Sequence, residues 1–139
     1  MIAVALSKDH IETPFAAAQF RRITEFVCRK EKVKNAELSF VIINDSTIRT
    51  INRKFLKHDY VTDVITFPLE HRQVNAEIYI NVQQAKRQAR ENGVTIKNEM
   101  TRLVVHGTLH AIGYDDTTEV SKKNMDSIQE RYVAELSLK

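Results

Sequence analysis

The sequence predicts an α+β fold: one domain over residues 1–139, a mixed sheet of about four strands with about five helices packed over it. Three observations lead there. Strand-like and helix-like stretches are interleaved along the chain. One connection, at 70–76, is too short for a crossover and reads as a hairpin, which makes the sheet mixed. A chain of 139 residues can also bury a core without crosslinks.

The elements follow in order. Ile2-Ala3-Val4-Ala5-Leu6 is an apolar run of strand length, far too short to span a membrane. Thr13-Pro14 has the form of a helix entry, a capping hydroxyl ahead of a proline at the first helical position. Ala16, Phe20, Ile23 and Val27 keep helical spacing from there to about Lys30. Cys28 lies in that pattern as a small core residue rather than a nucleophile. Leu38-Ser39-Phe40-Val41-Ile42-Ile43 alternates and then turns wholly apolar, as a central strand does. Asn44 or Asp45 caps a short helix with Ile48, Ile51 and Phe55 inward and Arg49, Arg53 and Lys54 outward. Residues 64–69 form a strand that Pro68 pushes to a sheet edge or ends. Residues 76–81 form another, Asn81 caps a helix over 82–92, and Gly93 ends it. Thr95 starts the next helix, and Met125, Ile128, Tyr132 and Leu136 mark a last one that packs back on the core.

Composition narrows the function classes. A single cysteine excludes an internal disulfide and suits a reducing compartment. The first residues lack the basic leader and cleavage region of a secretory signal, so a cytoplasmic protein without membrane association is expected. The formal net charge of +3 says little by itself. The cations cluster, however: Arg21 to Lys34 hold one run, Arg49, Arg53, Lys54 and Lys57 a second, Lys86, Arg87 and Arg90 a third. Such runs are ordinarily solvated helix faces. Brought to one side of a fold, they neutralise phosphates.

The chemistry concentrates in His106-Gly107-Thr108-Leu109-His110-Ala111-Ile112-Gly113-Tyr114-Asp115-Asp116. Two histidines four apart project from one helix face, the spacing at which two imidazoles share a metal ion. Gly113 allows a sharp left-handed exit, and the turn can return Asp116 as a third ligand. Three protein ligands leave a tetrahedral metal one open position for water. Asp116 has another available task, since Asp116-x-x-Glu119 fits a capping box for the last helix. Helix packing alone demands neither glycine, which favours the metal. The frame is also that of the metzincin peptidases, but their general-base glutamate is here Gly107, which cannot accept a proton.

The whole string resembles the YbeY family of bacterial ribosomal-RNA maturation factors, whose signature runs His-Gly-x-x-His-x-x-Gly-Tyr-Asp-His. Asp116 stands where that signature ends in histidine, and aspartate is an accepted, harder ligand for zinc. Thr62-Asp63-Val64-Ile65-Thr66-Phe67-Pro68 is similar to the family's second hallmark, Thr-Asp-Val-Leu-Ser-Phe-Pro, and Ala76 to Asn81 follow its Gly-Asp-Ile-x-Ile-Ser with Glu77 for aspartate. An arginine held to help RNA cleavage precedes the second hallmark in the family; Leu56 occupies its place, with Arg53 and Lys57 as nearby substitutes for RNA binding. The resemblance covers roughly residues 36 to 135.

It implies a Zn²⁺-dependent, single-strand-specific endoribonuclease acting on ribosomal RNA and the small ribosomal subunit, with one ion held by the catalytic residues His106, His110 and Asp116. Glu77 and Asp115 are candidates for orienting the ligands or moving a proton. The attacking group is left open between a metal-activated water and the RNA's own 2′-hydroxyl. Two other readings stay open: a metal hydrolase of peptides or small esters, and a ribosome-binding assembly factor whose metal is structural.

Overall fold

Alternation along four strands sets the architecture. β1 (Ile2–Lys8), β2 (Ala36–Ile43), β3 (Val64–Pro68) and β4 (Val74–Asn81) pair in the order β1-β2-β4-β3 in a computed structural model that describes residues 1–8 and 11–138. β1 with β2 and β2 with β4 are parallel, whereas β3 runs antiparallel to β4. The sheet is mixed, as the short 70–76 connection requires. β3 is an edge, which is where Pro68 costs no ladder hydrogen bond.

Period two then divides the side chains. Leu38, Phe40 and Ile42 of β2 and Ala76, Ile78 and Ile80 of β4 enter the main core. There they meet α1 (Ala17–Lys30), α3 (Val82–Glu91), α4 (Ile96–Ile112) and α5 (Glu119–Ser137). Val41, Ile43 and Tyr79 join Ile65 and Phe67 of β3 in a smaller cluster with Ile48 and Ile51 of α2 (Asp45–Leu56). The two faces are thus covered unequally, and α4 lies against β3 and β4 under the larger layer. Cys28 is fully buried in α1; burial first, and Glu25 second, push its thiol up to about 11.

The caps at 44, 81 and 95 fall where expected. Asn44 accepts from the Thr47 N–H, Asn81 from those of Gln83 and Gln84, and Thr95 from that of Asn98. Two expectations fail. α1 starts at Ala17, because the Thr13 hydroxyl bonds the Phe15 carbonyl at 3.2 Å instead of capping, and the Phe15 ring packs edge-on against Phe20 at 4.9 Å. Phe55 is not inward: it is 62% exposed at the end of α2, where the edge-strand ring of Phe67 lies 6.1 Å away and the Lys54 ammonium sits over its face at 5.5 Å.

Candidate metal centre

α4 places His106 and His110 one turn apart, ring centroids 4.6 Å from each other and nearly perpendicular at 81°. The helix stops at Gly113, whose φ of 129° suits a residue without Cβ, and the N–H groups of Gly113 and Tyr114 both close on the Leu109 carbonyl. The chain then turns and brings Asp116 back. One donor atom from each of His106, His110 and Asp116 lies within 4.8 Å of the others. The His110 Nε2 to Asp116 Oδ2 distance is 3.4 Å. Two donors about 2.1 Å from a tetrahedral zinc stand roughly 3.4 Å apart, so this pair already has the separation an ion requires.

Asp116 is free for that role. The capping box of α5 belongs to Thr118 and Ser121, which exchange side-chain and backbone hydrogen bonds at about 3.0 Å, not to Asp116 and Glu119. Gly107, in contrast, is demanded by packing after all. A Cβ there would lie 2.6 Å from Ile78 Cγ2, so the helix packs against the Ile78 side chain of β4 more closely than a larger residue allows without a shift. The Gly107 carbonyl also accepts from the Thr66 hydroxyl at 3.4 Å. The glycine seats the histidine-bearing helix on the sheet, and it leaves no room for a peptidase's glutamate.

The second nitrogen of each imidazole is held from outside the ligand set. His110 Nδ1 lies 2.9 Å from the Tyr114 carbonyl, an obligate acceptor, so Nδ1 carries the proton and Nε2 the lone pair. His106 Nδ1 lies 2.7 Å from the Gln129 side-chain oxygen. The orientation of that amide is fixed because its nitrogen donates to Glu130 at 3.1 Å; flipping it would set oxygen against carboxylate. Glu130 in turn is gripped by both arms of Arg102 at 2.8 and 3.0 Å. Arg102 bonds the buried Glu99, which takes a bond from Gln88, and Gln88 also reaches Asp63. Burial above all holds His106 below the usual histidine range, with His110 adding to this and the Gln129 bond, Asp63 and Asp116 opposing it. A neutral imidazole is the form that binds a metal. The donor set and its outer partners therefore fit a Zn²⁺ ion.

The remaining candidates sit around this centre in different ways. Glu77 accepts from the Tyr79 hydroxyl at 3.4 Å, and Asp115 accepts from the Thr117 N–H and hydroxyl at 3.2 and 3.0 Å. The partners that orient the histidines are Gln129 and the Tyr114 carbonyl. Tyr114 turns its hydroxyl to Glu31 at 2.7 Å, where Tyr132 also donates. Arg53 is exposed 3.9 Å from Asp59, which Arg49 holds at 2.8 Å. Lys57 is exposed at the left-handed C-cap of α2, with φ 58°. Leu56 lines a cavity of about 490 Å³ together with His110, Tyr114, His58 and Tyr60.

An α+β fold in which two histidines and an aspartate converge presents a donor set consistent with a bound metal ion. A profile described as "Endoribonuclease YbeY" matches residues 2–137, wider than the 36–135 of the motif resemblance, and the chain belongs to that family. A Chloroherpeton thalassium protein named Endoribonuclease YbeY is 33% identical over 136 residues, covering 97% of this chain and 96% of its own. One of the same name from Solibacter usitatus is 39% identical over 127 residues, 88% of this chain and 84% of its own. The solution structure of a Thermotoga maritima protein superimposes with a TM-score of 0.67 at 29% identity, over 96% of this chain and 87% of that one. No helix among the described residues is long and apolar enough to cross a membrane.

Proposed function

We propose that this chain is a Zn²⁺-dependent endoribonuclease that cuts single-stranded RNA in the cytoplasm, maturing the 3′ end of small-subunit ribosomal RNA late in assembly on the small ribosomal subunit. The observation that supports it most is the convergence of His106, His110 and Asp116, with both imidazoles fixed through Nδ1, in a chain of the YbeY family. A bound Zn²⁺ supplies a Lewis acid beside the phosphodiester and a water of near-neutral acidity. Gln129 and the Tyr114 carbonyl keep each Nε2 in the lone-pair form, and Asp116 contributes the negative charge. Arg53 and Lys57 neutralise phosphates of the approaching strand. Gly107 disfavours a peptidase, as it offers no base and a Cβ there would strike Ile78.

The test is cleavage of a labelled single-stranded RNA and its duplex by zinc-loaded protein. The single strand is cut, chelation stops it, zinc restores it, and His110→Ala lowers the rate by about a hundredfold or more. Circular dichroism in chelator retains the helical signal, since none of the three donors belongs to the buried apolar core. Metal-dependent peptide cleavage lost in His110→Ala, with RNA left intact, overturns the proposal.

A further inference from the structure

The segment after α2 brings two rings to the edge of the site that no role above employs. The rings of His58 and Tyr60 pack against one another in a tilted arrangement, centroids 5.4 Å apart and planes at 40°. A single buried residue holds them in place, one through its side chain and the other through its main chain. Asn52, 1% exposed, donates from Nδ2 to the Tyr60 carbonyl at 3.1 Å, and its main-chain carbonyl accepts the His58 N–H at 3.2 Å. Further on, Asn81 fixes the Thr62 carbonyl at 3.2 Å. Tyr60 is nonetheless 54% exposed, so its backbone is anchored while its ring faces solvent. Both rings border the 490 Å³ cavity that His110 also lines, within the size range of small-ligand pockets. Exposed Lys57 stands between Leu56 and His58 in the chain.

We infer that His58 and Tyr60 form a stacking platform for one nucleobase of single-stranded RNA, adjacent to the phosphate presented to the metal centre. The inference rests on the nuclease reading for its substrate and on this geometry for its site. An unpaired base offers a free π-face, which every base has and a base pair inside a duplex does not. Stacking thereby selects for single strands without reading sequence. It also supplies binding at a place where Leu56 brings no charge.

The chain contains no tryptophan, so Tyr60→Trp creates a sole indole reporter at the platform. With chelator present, a six-nucleotide single-stranded RNA quenches that fluorescence, and an abasic oligomer of equal length and charge does not. By anisotropy, Tyr60→Ala weakens RNA binding about tenfold, within the range for losing one base–aromatic stack, and Tyr60→Phe restores it. An indole indifferent to bound RNA, equal quenching by the abasic strand, or undiminished binding by Tyr60→Ala overturns the platform. Adding zinc separates the two readings. Cutting with a silent indole sinks only the platform, whereas quenching without cutting supports the platform and sinks the nuclease.

Discussion

His106 and Gln129, from α4 and α5, are joined by a 2.7 Å contact between Nδ1 and the amide oxygen, and the amide cannot flip because Glu130 holds its nitrogen. A helix outside the ligand set thus determines which nitrogen of a ligand is free. Gln129→Ala removes the acceptor and lets the ring change tautomer or turn. Zinc affinity, read by competition with a chromogenic chelator, falls roughly ten- to a hundredfold. Gln129→Glu keeps an acceptor for Nδ1 but sets its second oxygen against the Glu130 carboxylate, so it recovers the affinity only in part.

Acid stability carries the mark of the same ring. His106 is held below the ordinary histidine value of about 6.5, chiefly by burial. The unfolded chain takes up that proton more readily than the folded one, so the unfolded state gains as pH falls. The contribution of His106 is fully present above about pH 6.5 and is lost as pH drops through the lowered folded value. In metal-free protein the melting temperature therefore falls over that window, and His106→Ala flattens the part of the slope owed to this residue.

Gly107→Ala measures how tightly α4 sits on β4. Alanine gains about 1 kcal/mol of helix propensity, but overpacking against Ile78 costs about 1–3 kcal/mol. The net is a destabilisation of roughly 1 kcal/mol, read from the urea midpoint. Combined with Ile78→Ala the loss is smaller than the sum of the two single variants, because the second change removes the methyl that the first strikes.

Leu56→Arg returns a guanidinium to the cavity that His110 lines. RNA binding tightens at low salt, and the slope of log affinity against log salt steepens by about one. A change equal at all salt concentrations counts against a phosphate near this position.

Much of the fold was legible because local rules and tertiary packing agree. The period-two strands, the caps at Asn44, Asn81 and Thr95, and the edge position of Pro68 follow from side-chain chemistry that acts within a few residues. Thr13-Pro14 misled because a hydroxyl has more than one local partner, and Phe55 because helical spacing does not reveal where the sheet beneath ends. The convergence of His106, His110 and Asp116 was readable from spacing and a turn glycine. Gln129 was not, since its contact with His106 joins residues far apart in sequence. A signal did exist: Gln129 shares a stripe with Met125, Tyr132 and Leu136, where a polar side chain needs a buried partner. Gly107 had its packing purpose hidden for the same reason, as Ile78 lies on another element.

The chain's one thiol, Cys28, is sealed inside α1 and holds its proton far above neutrality. Maleimide and other alkylating dyes will pass it by at pH 7 in the native protein. A cysteine introduced at exposed Lys57 would then be the single labelling point, so a fluorophore or spin label can be set beside the cavity without first stripping the natural thiol from the chain.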